Sequence, residues 1–214
     1  MSLQDRLDRL RRKESEPSRA AYEAFVEQLV KAESADRALK VGDAMPPFLL
    51  PDAEGRLVAS DELLEQGPLV ICFYRGDWCP YCRAMLAALQ AAIPRIAAAG
   101  GRLVALTPDT GGRPLALKRR QRLTYDILCD VDYAVGLQFG VVFQVPEAYR
   151  RRLAADGIDL PQRHGSGGWL VPIPATFVAD RGGIIRYAFV DADFMRRAEP
   201  DAIVEVLRGL QGES

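Results

Sequence analysis

The chain of 214 residues holds one histidine, His164, and four cysteines. A structural zinc site commonly draws four Cys or His ligands from two close pairs. Cys79 and Cys82 form the one close pair here, and His164 has no companion in sequence, so neither a metal nor another cofactor is expected. Four cysteines are also too few for a disulfide-stapled secreted scaffold. Charge of one sign is lacking as well: 28 basic residues stand against 29 acidic ones, which argues against nucleic acid or an acidic membrane as a partner. The one dense basic cluster, Lys118-Arg119-Arg120 with Arg122, reads as a solvated helix face. No apolar run approaches the roughly 20 residues of a membrane span. The first residues, MSLQDRLDRLRRKESEPS, alternate charge and lack the apolar centre of a signal peptide. A soluble, cytoplasmic protein is expected.

What is there divides into an arm and a main unit. Over residues 1–40, Leu3, Leu7 and Leu10 recur at helical spacing before Pro17, and Tyr22, Phe25, Val26, Leu29 and Val30 make a second apolar stripe. This predicts a helical arm packed on the main unit or on a second copy, so a homodimer is a candidate. Residues 41–214 alternate strand and helix patterns. Leu69 to Tyr74 is a continuous apolar run, as in a strand buried on both faces. The Ala/Leu/Met-rich stretch from Pro80 to Ala98 is helical, with a kink expected at Pro94. Strands are predicted at 103–106 and 126–129, and helices near 114–123 and 133–139. The region 144–170 reads as a surface insertion with a short charged helix and a glycine-rich stretch, His164 to Gly168. A hairpin around Asp180 to Gly183 and a closing helix from Asp201 follow. The pattern implies an α/β fold, a sheet covered by helices on both faces.

The chemistry concentrates in WCPYC, Trp78 to Cys82. A buried strand ends near Tyr74, a short turn follows, and Cys79 falls where the next helix begins. A thiol there faces unpaired backbone N–H groups and the positive end of the helix dipole. Both favour the thiolate over the thiol, whose free pKa is about 8.5. Pro80 suits the first helical turn, where its missing N–H has no partner to lose. Cys82, three residues on, lies on the same face about a turn deeper. An exposed attacking sulfur and a shielded resolving one would be so arranged, and a redox couple is the expectation. Cys72 reads as a small core residue. Cys129 ends a strand, and strand ends can line an active crevice; a core or rim thiol is the other reading. A proline before a strand, Pro174 in VPIPATF, is a plain trans strand-entry residue on backbone energetics alone.

These residues resemble a known family. The opening VGDAMPPFLL from Val41, with Gly55, resembles the alkyl hydroperoxide reductase/thiol-specific antioxidant (AhpC/TSA) family, and FYRGDWCPYC (Phe73 to Cys82) its peroxiredoxin-like branch. PATFVADRGGIIR, from Pro174 through Thr176 to Arg186, is similar to the cis-proline strand and hairpin of thioredoxin-fold proteins. The resemblance spans about residues 41–207. It implies a thioredoxin-like fold, a central mixed β-sheet flanked by helices with an N-terminal helical extension, and a cis bond before Pro174. It implies Cys79 as the sulfur that attacks a peroxide and Cys82 as its resolving partner, with a thioredoxin-like or glutathione-linked reductant. Trp78, Pro174, Thr176 and Cys129 are supporting candidates. The chain departs from the family's Pro-x-x-x-Thr-x-x-Cys loop, because Arg75-Gly76-Asp77-Trp78 carries no threonine. It also has Pro174 where the family places an arginine; Arg75 is the cation the sequence offers instead. CPYC itself is the tetrapeptide of glutaredoxins. A disulfide oxidoreductase and a redox-sensing module therefore stand beside the peroxidase reading, which the flanking sequence favours.

Overall fold

A computed structural model describes residues 1–212; the last two residues of the expected 41–214 unit lie outside the described residues. The elements run in the order α1 (Leu3–Arg12), α2 (Glu16–Lys31), β1 (Leu49–Pro51), β2 (Leu57–Ala59), α3 (Ser60–Gln66), β3 (Leu69–Phe73), α4 (Pro80–Ala98), β4 (Arg102–Thr107) and α5 (Arg113–Gln121). They continue as β5 (Asp126–Cys129), α6 (Ala134–Gln138), β6 (Val142–Gln144), α7 (Glu147–Ala155), α8 (Leu160–His164), β7 (Leu170–Pro172), β8 (Ala175–Ala179), β9 (Ile185–Val190) and α9 (Pro200–Gln211). A mixed five-stranded sheet in the order β5-β4-β3-β8-β9 forms the centre. Strands β3, β4 and β5 are parallel, and β8 and β9 are antiparallel to their neighbours.

The apolar run of β3 is explained by two cores. Val70 and Cys72 face a cluster built by α1, α2, α4 and α9. Leu69, Ile71 and Phe73 face a second cluster with Phe48, Leu50, Val135 and Phe139. A strand whose alternate residues both meet apolar surface has no place for a polar one. Helix α4 runs on through Pro94 without interruption. The arm begins with a capping box, in which the Ser2 hydroxyl accepts from the Asp5 N–H and the Asp5 carboxylate accepts from the Ser2 N–H. The Glu199 carboxylate, just before α9, accepts from the Leu3 and Gln4 N–H groups at 3.0 and 2.8 Å and so stabilises the positive end of α1. Leu3, Leu7, Tyr22, Phe25 and Leu29 are all buried against the body.

Three expectations need correction. No cis peptide bond occurs among the described residues, so the bond before Pro174 is trans. The chain enters β8 straight from β7, with the Ile173 N–H already bound to the Val141 carbonyl at 2.7 Å, and trans is the cheaper isomer by about 0.5–1 kcal/mol. Thr176 does not face the cysteine pair: it stands in register with Cys72, and its hydroxyl donates to the Cys72 sulfur at 3.8 Å inside the core. The insertion is more than surface. Its ends are joined by the β6–β7 pairing, Val145, Leu153, Leu160 and Val171 form an apolar cluster of their own, and His164 ends a helix fully buried.

Candidate active site

The parallel strand β3 delivers the chain to the top of the sheet, where the Tyr74 N–H still bonds the Leu106 carbonyl at 3.0 Å. The backbone then turns through Gly76, whose φ of 143° favours glycine. A Cβ at this position would lie 2.5 Å from Trp78 Nε1 and 2.7 Å from the Asp109 carboxylate. Asp109, buried at the end of β4, holds the turn by accepting the Asp77 N–H at 2.8 Å. Helix α4 starts immediately afterwards with Cys79 as its N-cap and Pro80 in its first turn.

Contrary to the expectation of an exposed attacking sulfur, Cys79 is as fully buried as Cys82, because the arm and the insertion cover the start of α4. Its sulfur accepts the Cys82 N–H at 3.3 Å and an Arg75 guanidinium N–H at 3.3 Å. Burial by itself pushes the Cys79 thiol up. A hydrogen bond from the Cys82 side chain, the charges of Arg75 and Arg197, and the Arg75 hydrogen bond outweigh it and hold the thiol well below its ordinary value. The partner sulfur goes the other way. Burial, then the hydrogen bond and negative charge of Cys79, push the Cys82 thiol well above its ordinary value. One turn of helix thus holds two free thiols whose proton affinities are pushed in opposite directions.

Arg75 is itself buried, with its guanidinium 3.7 Å from the Phe194 ring centroid and 5.0 Å from that of Trp78. Its Nε and Nη1 have no hydrogen-bond partner. Beyond Arg75 opens a pocket of about 230 Å³, whose walls include Trp78 from the turn before α4, Tyr81 from α4, Tyr22 from α2, Tyr149 from α7 and Phe194. Tyr149 stacks on Phe25 with centroids 4.2 Å apart. Arm and insertion therefore meet over the N-terminus of α4. A larger cavity, about 650 Å³, lies at the other end of α4, beside Ala99, Gly100, Asp180 and Arg181, and holds no thiol.

Behind Arg75 lies a polar cluster. The Asp77 carboxylate, which would oppose a thiolate if left free, is paired with Arg163 at 3.0 Å and Arg120 at 3.9 Å. His164 Nε2 and Asp109 Oδ1 face each other at 3.8 Å, each without a hydrogen-bond partner. The Tyr133 hydroxyl lies 2.7 Å from His164 Nδ1. Burial first, and then the charge of Asp77, push the Asp109 carboxyl up to about 6. Burial, followed by the charge of Arg163, pushes His164 down to about 4, so its ring is neutral.

Sequence reasoning placed Cys79, Cys82, Arg75 and Trp78, and the structure brings these four together. Pro174 is buried at the entry to β8, and Thr176 lies with Cys72. Cys129 stands in register with Thr107, and burial followed by the charges of Asp52 and Asp109 pushes its thiol up to about 11, away from the range of a nucleophile. Arg197, Asp109, Tyr149 and Phe194 were missed, because each lies far along the chain from the cysteines. The only signal for His164 was its being the sole histidine. Among the described residues, no group of three or more His, Cys, Asp or Glu side chains is placed to hold a metal ion.

The AhpC/TSA family profile matches residues 41–188. The chain belongs to the AhpC/TSA family. It is 29% identical over 100 residues to a chloroplastic peroxiredoxin Q of Sedum lineare, a match covering 47% of this chain and 53% of that protein. It is 28% identical over 110 residues to peroxiredoxin bcp1 of Schizosaccharomyces pombe, covering 51% and 56%. These matches span about half the length of either relative. Among solved structures, peroxidoxin BcpB from Mycobacterium tuberculosis superposes with a TM-score of 0.63 at 23% identity, covering 80% of this chain and 98% of that one. Like other AhpC/TSA chains of known structure it thus has the thioredoxin-like fold. The match ends at residue 188, before the segment that carries Phe194 and Arg197, and begins after α1 and α2.

Proposed function

We propose that the protein is a thiol peroxidase in which Cys79 attacks a peroxide and Cys82 resolves the product. The observation that carries this reading is the Arg75 guanidinium 3.3 Å from the sulfur of an N-cap cysteine whose thiolate is favoured. The Cys79 thiolate attacks one oxygen of ROOH and the O–O bond breaks. The sulfur becomes a sulfenic acid, and the other oxygen leaves as RO⁻, which takes a proton to give ROH. The unpaired N–H groups of Arg75, at Nε and Nη1, are the donors available to the departing oxygen. The Cys82 sulfur then displaces hydroxide from the sulfenic acid, which leaves as water with the Cys82 proton, and a Cys79–Cys82 disulfide forms. An external dithiol of thioredoxin type, or a glutathione-linked system, reduces that disulfide by exchange. A reducing, cytoplasmic setting suits four free thiols.

A second reading rests on the same helix turn. Two thiols three residues apart at a helix start, with unlike proton affinities, also suit dithiol–disulfide exchange. Trp78 adjoins Cys79 and reports on both. Reduced protein is mixed with hydrogen peroxide in a stopped-flow fluorimeter, with Cys79→Ser and Cys82→Ser beside it. The peroxidase reading expects a rapid emission change, abolished in Cys79→Ser, and a sulfenic acid trapped in Cys82→Ser. Inertness to peroxide with prompt oxidation by glutathione disulfide would replace it with disulfide exchange.

A further inference from the structure

The resolving sulfur has a cation of its own. Arg197 sits on the segment between β9 and α9, 95% buried, and its guanidinium Nη2 lies 4.0 Å from Cys82 Sγ. Its Nη1 donates to the Arg196 carbonyl at 2.7 Å, and its Nε has no partner. No carboxylate forms a salt bridge to either Arg75 or Arg197 among the described residues; Arg75, packed on the Phe194 ring, reaches Cys79 Sγ, and Arg197 reaches Cys82 Sγ. The segment that carries Arg197 is anchored from both sides of the arm. Asp193 accepts the Tyr22 hydroxyl, and Glu199 holds the first N–H groups of α1.

Two buried positive charges lie beside two sulfurs, of which Cys79 is the one whose thiolate is favoured in the reduced protein. We propose, on the peroxidase reading above, that Arg197 is a catalytic residue of the resolving step, stabilising the Cys82 sulfur as a thiolate once Cys79 has lost its charge. The two forces that keep Cys82 protonated, besides burial, are its hydrogen bond to Cys79 and the negative charge of Cys79. The charge is lost, and the hydrogen bond is weakened to one with a neutral acceptor, when the Cys79 thiolate becomes a sulfenic acid. Arg197 and Arg75 are the charged groups then left facing Cys82, and both favour its anion. The negative charge moves one turn down the helix as the chemistry demands. The Cys82 thiol gives up its proton, its sulfur bonds to the Cys79 sulfur, and the sulfenic hydroxyl leaves as water with that proton. In the return direction, a reductant thiolate attacking the Cys79 sulfur expels Cys82 as the leaving thiolate, which Arg197 again stabilises. A lower proton affinity makes the better leaving group.

Two measurements decide this. In the first, the sulfenic acid on Cys79 is formed with one equivalent of hydrogen peroxide and its lifetime is followed by a dimedone-type trap. Arg197→Gln is expected to lengthen that lifetime about ten-fold, the equivalent of one pKa unit on Cys82, and Arg197→Lys to restore most of it. An unchanged lifetime in Arg197→Gln overturns the proposal. The second needs no peroxide. In a Cys79→Ser background, alkylation of Cys82 by iodoacetamide is followed against pH, resolved by peptide mass from Cys72 and Cys129. Adding Arg197→Gln is expected to shift the Cys82 profile up by about one pH unit, and Arg197→Lys to shift it back. If no variant forms a sulfenic acid, the peroxidase reading fails, and an unshifted alkylation profile separately sinks the role of Arg197.

Discussion

At the scale of single residues, the site is a contest between burial and charge at sulfur. Four thiols in one protein meet three outcomes. Cys72 and Cys129 are both pushed up to about 11, burial being the larger cause for each, whereas Cys79 alone is drawn down. The difference is the hydrogen bond from Cys82, followed by the charges of Arg75 and Arg197 and the Arg75 hydrogen bond at 3.3 Å. Arg75→Met should therefore lower the rate constant for Cys79 with hydrogen peroxide by ten-fold or more, about one pKa unit's worth of thiolate stabilisation; a stopped-flow trace as fast as that of the parent would refute the role of Arg75. The same depression couples folding to pH. The Cys79 proton affinity is lower folded than unfolded, so its contribution to stability is complete above the unfolded value of about 8.5 and is lost as pH falls through the folded one. Denaturant titrations of the reduced protein should show that decline, and Cys79→Ser should flatten it. Asp109 and His164 oppose each other at lower pH. As pH falls from 6.5 towards 4 the unfolded His164 takes up its proton first and stability drops. As pH falls from 6 towards 3.8 the folded Asp109 is protonated first and stability rises. His164→Asn should leave the rise alone and Asp109→Asn the fall, read as the slope of unfolding free energy between pH 4 and 6.

At the scale of elements, the turn between β3 and α4 is where local sequence meets tertiary demand. The strand run, the turn and the helix start were legible, since each rests on neighbours in the chain: alternate burial, a glycine, a proline in the first turn. What holds the turn closed was not, because Asp109 comes from the loop after β4 and Arg163 from α8. Gly76→Ala should cost about 1–3 kcal/mol from backbone alone, with more from the approach to Trp78 and Asp109, and guanidinium unfolding would measure it. A denaturation midpoint equal to that of the parent would show that the turn relaxes freely. The β6–α7–α8–β7 excursion was misjudged for a related reason. Its apolar residues, Val145, Leu153, Leu160 and Val171, are too widely spaced to announce a cluster, and only the β6–β7 pairing assembles them. The hairpin at Asp180 to Gly183 and the helix α9, by contrast, carry their signals locally.

At the scale of the whole molecule, the arm and the insertion together roof the cysteine pair. Tyr22 reaches Asp193 and the Tyr81 hydroxyl reaches Glu14, while Tyr149 packs on Phe25 and Phe194. With Cys79 fully buried, reagents must pass this roof. Loosening it by Tyr22→Phe with Glu14→Gln should raise hydrogen exchange in α1, α2 and the first turn of α4, leave β3 and β4 protected, and speed alkylation of Cys79 by bulky reagents. Equal exchange across all elements would place the arm in the global folding unit instead. No helix among the described residues is long and apolar enough to cross a membrane.

The amino-acid sequence by itself determined the main strands and helices around the site, β3, α4, β4 and β5 among them, and the two sulfurs. Hydrophobic periodicity, helix caps and the spacing of a cysteine pair act within a few residues and survive without a fold. Tertiary structure alone decided which charges meet those sulfurs. Arg75 is four residues from Cys79 and could be suspected, whereas Arg197 is 115 residues from Cys82 and arrives only because α9, the arm and the sheet pack around α4. It also decided the distance of Thr176 from the site, since the pairing of β8 with β3 sets it opposite Cys72 in the core.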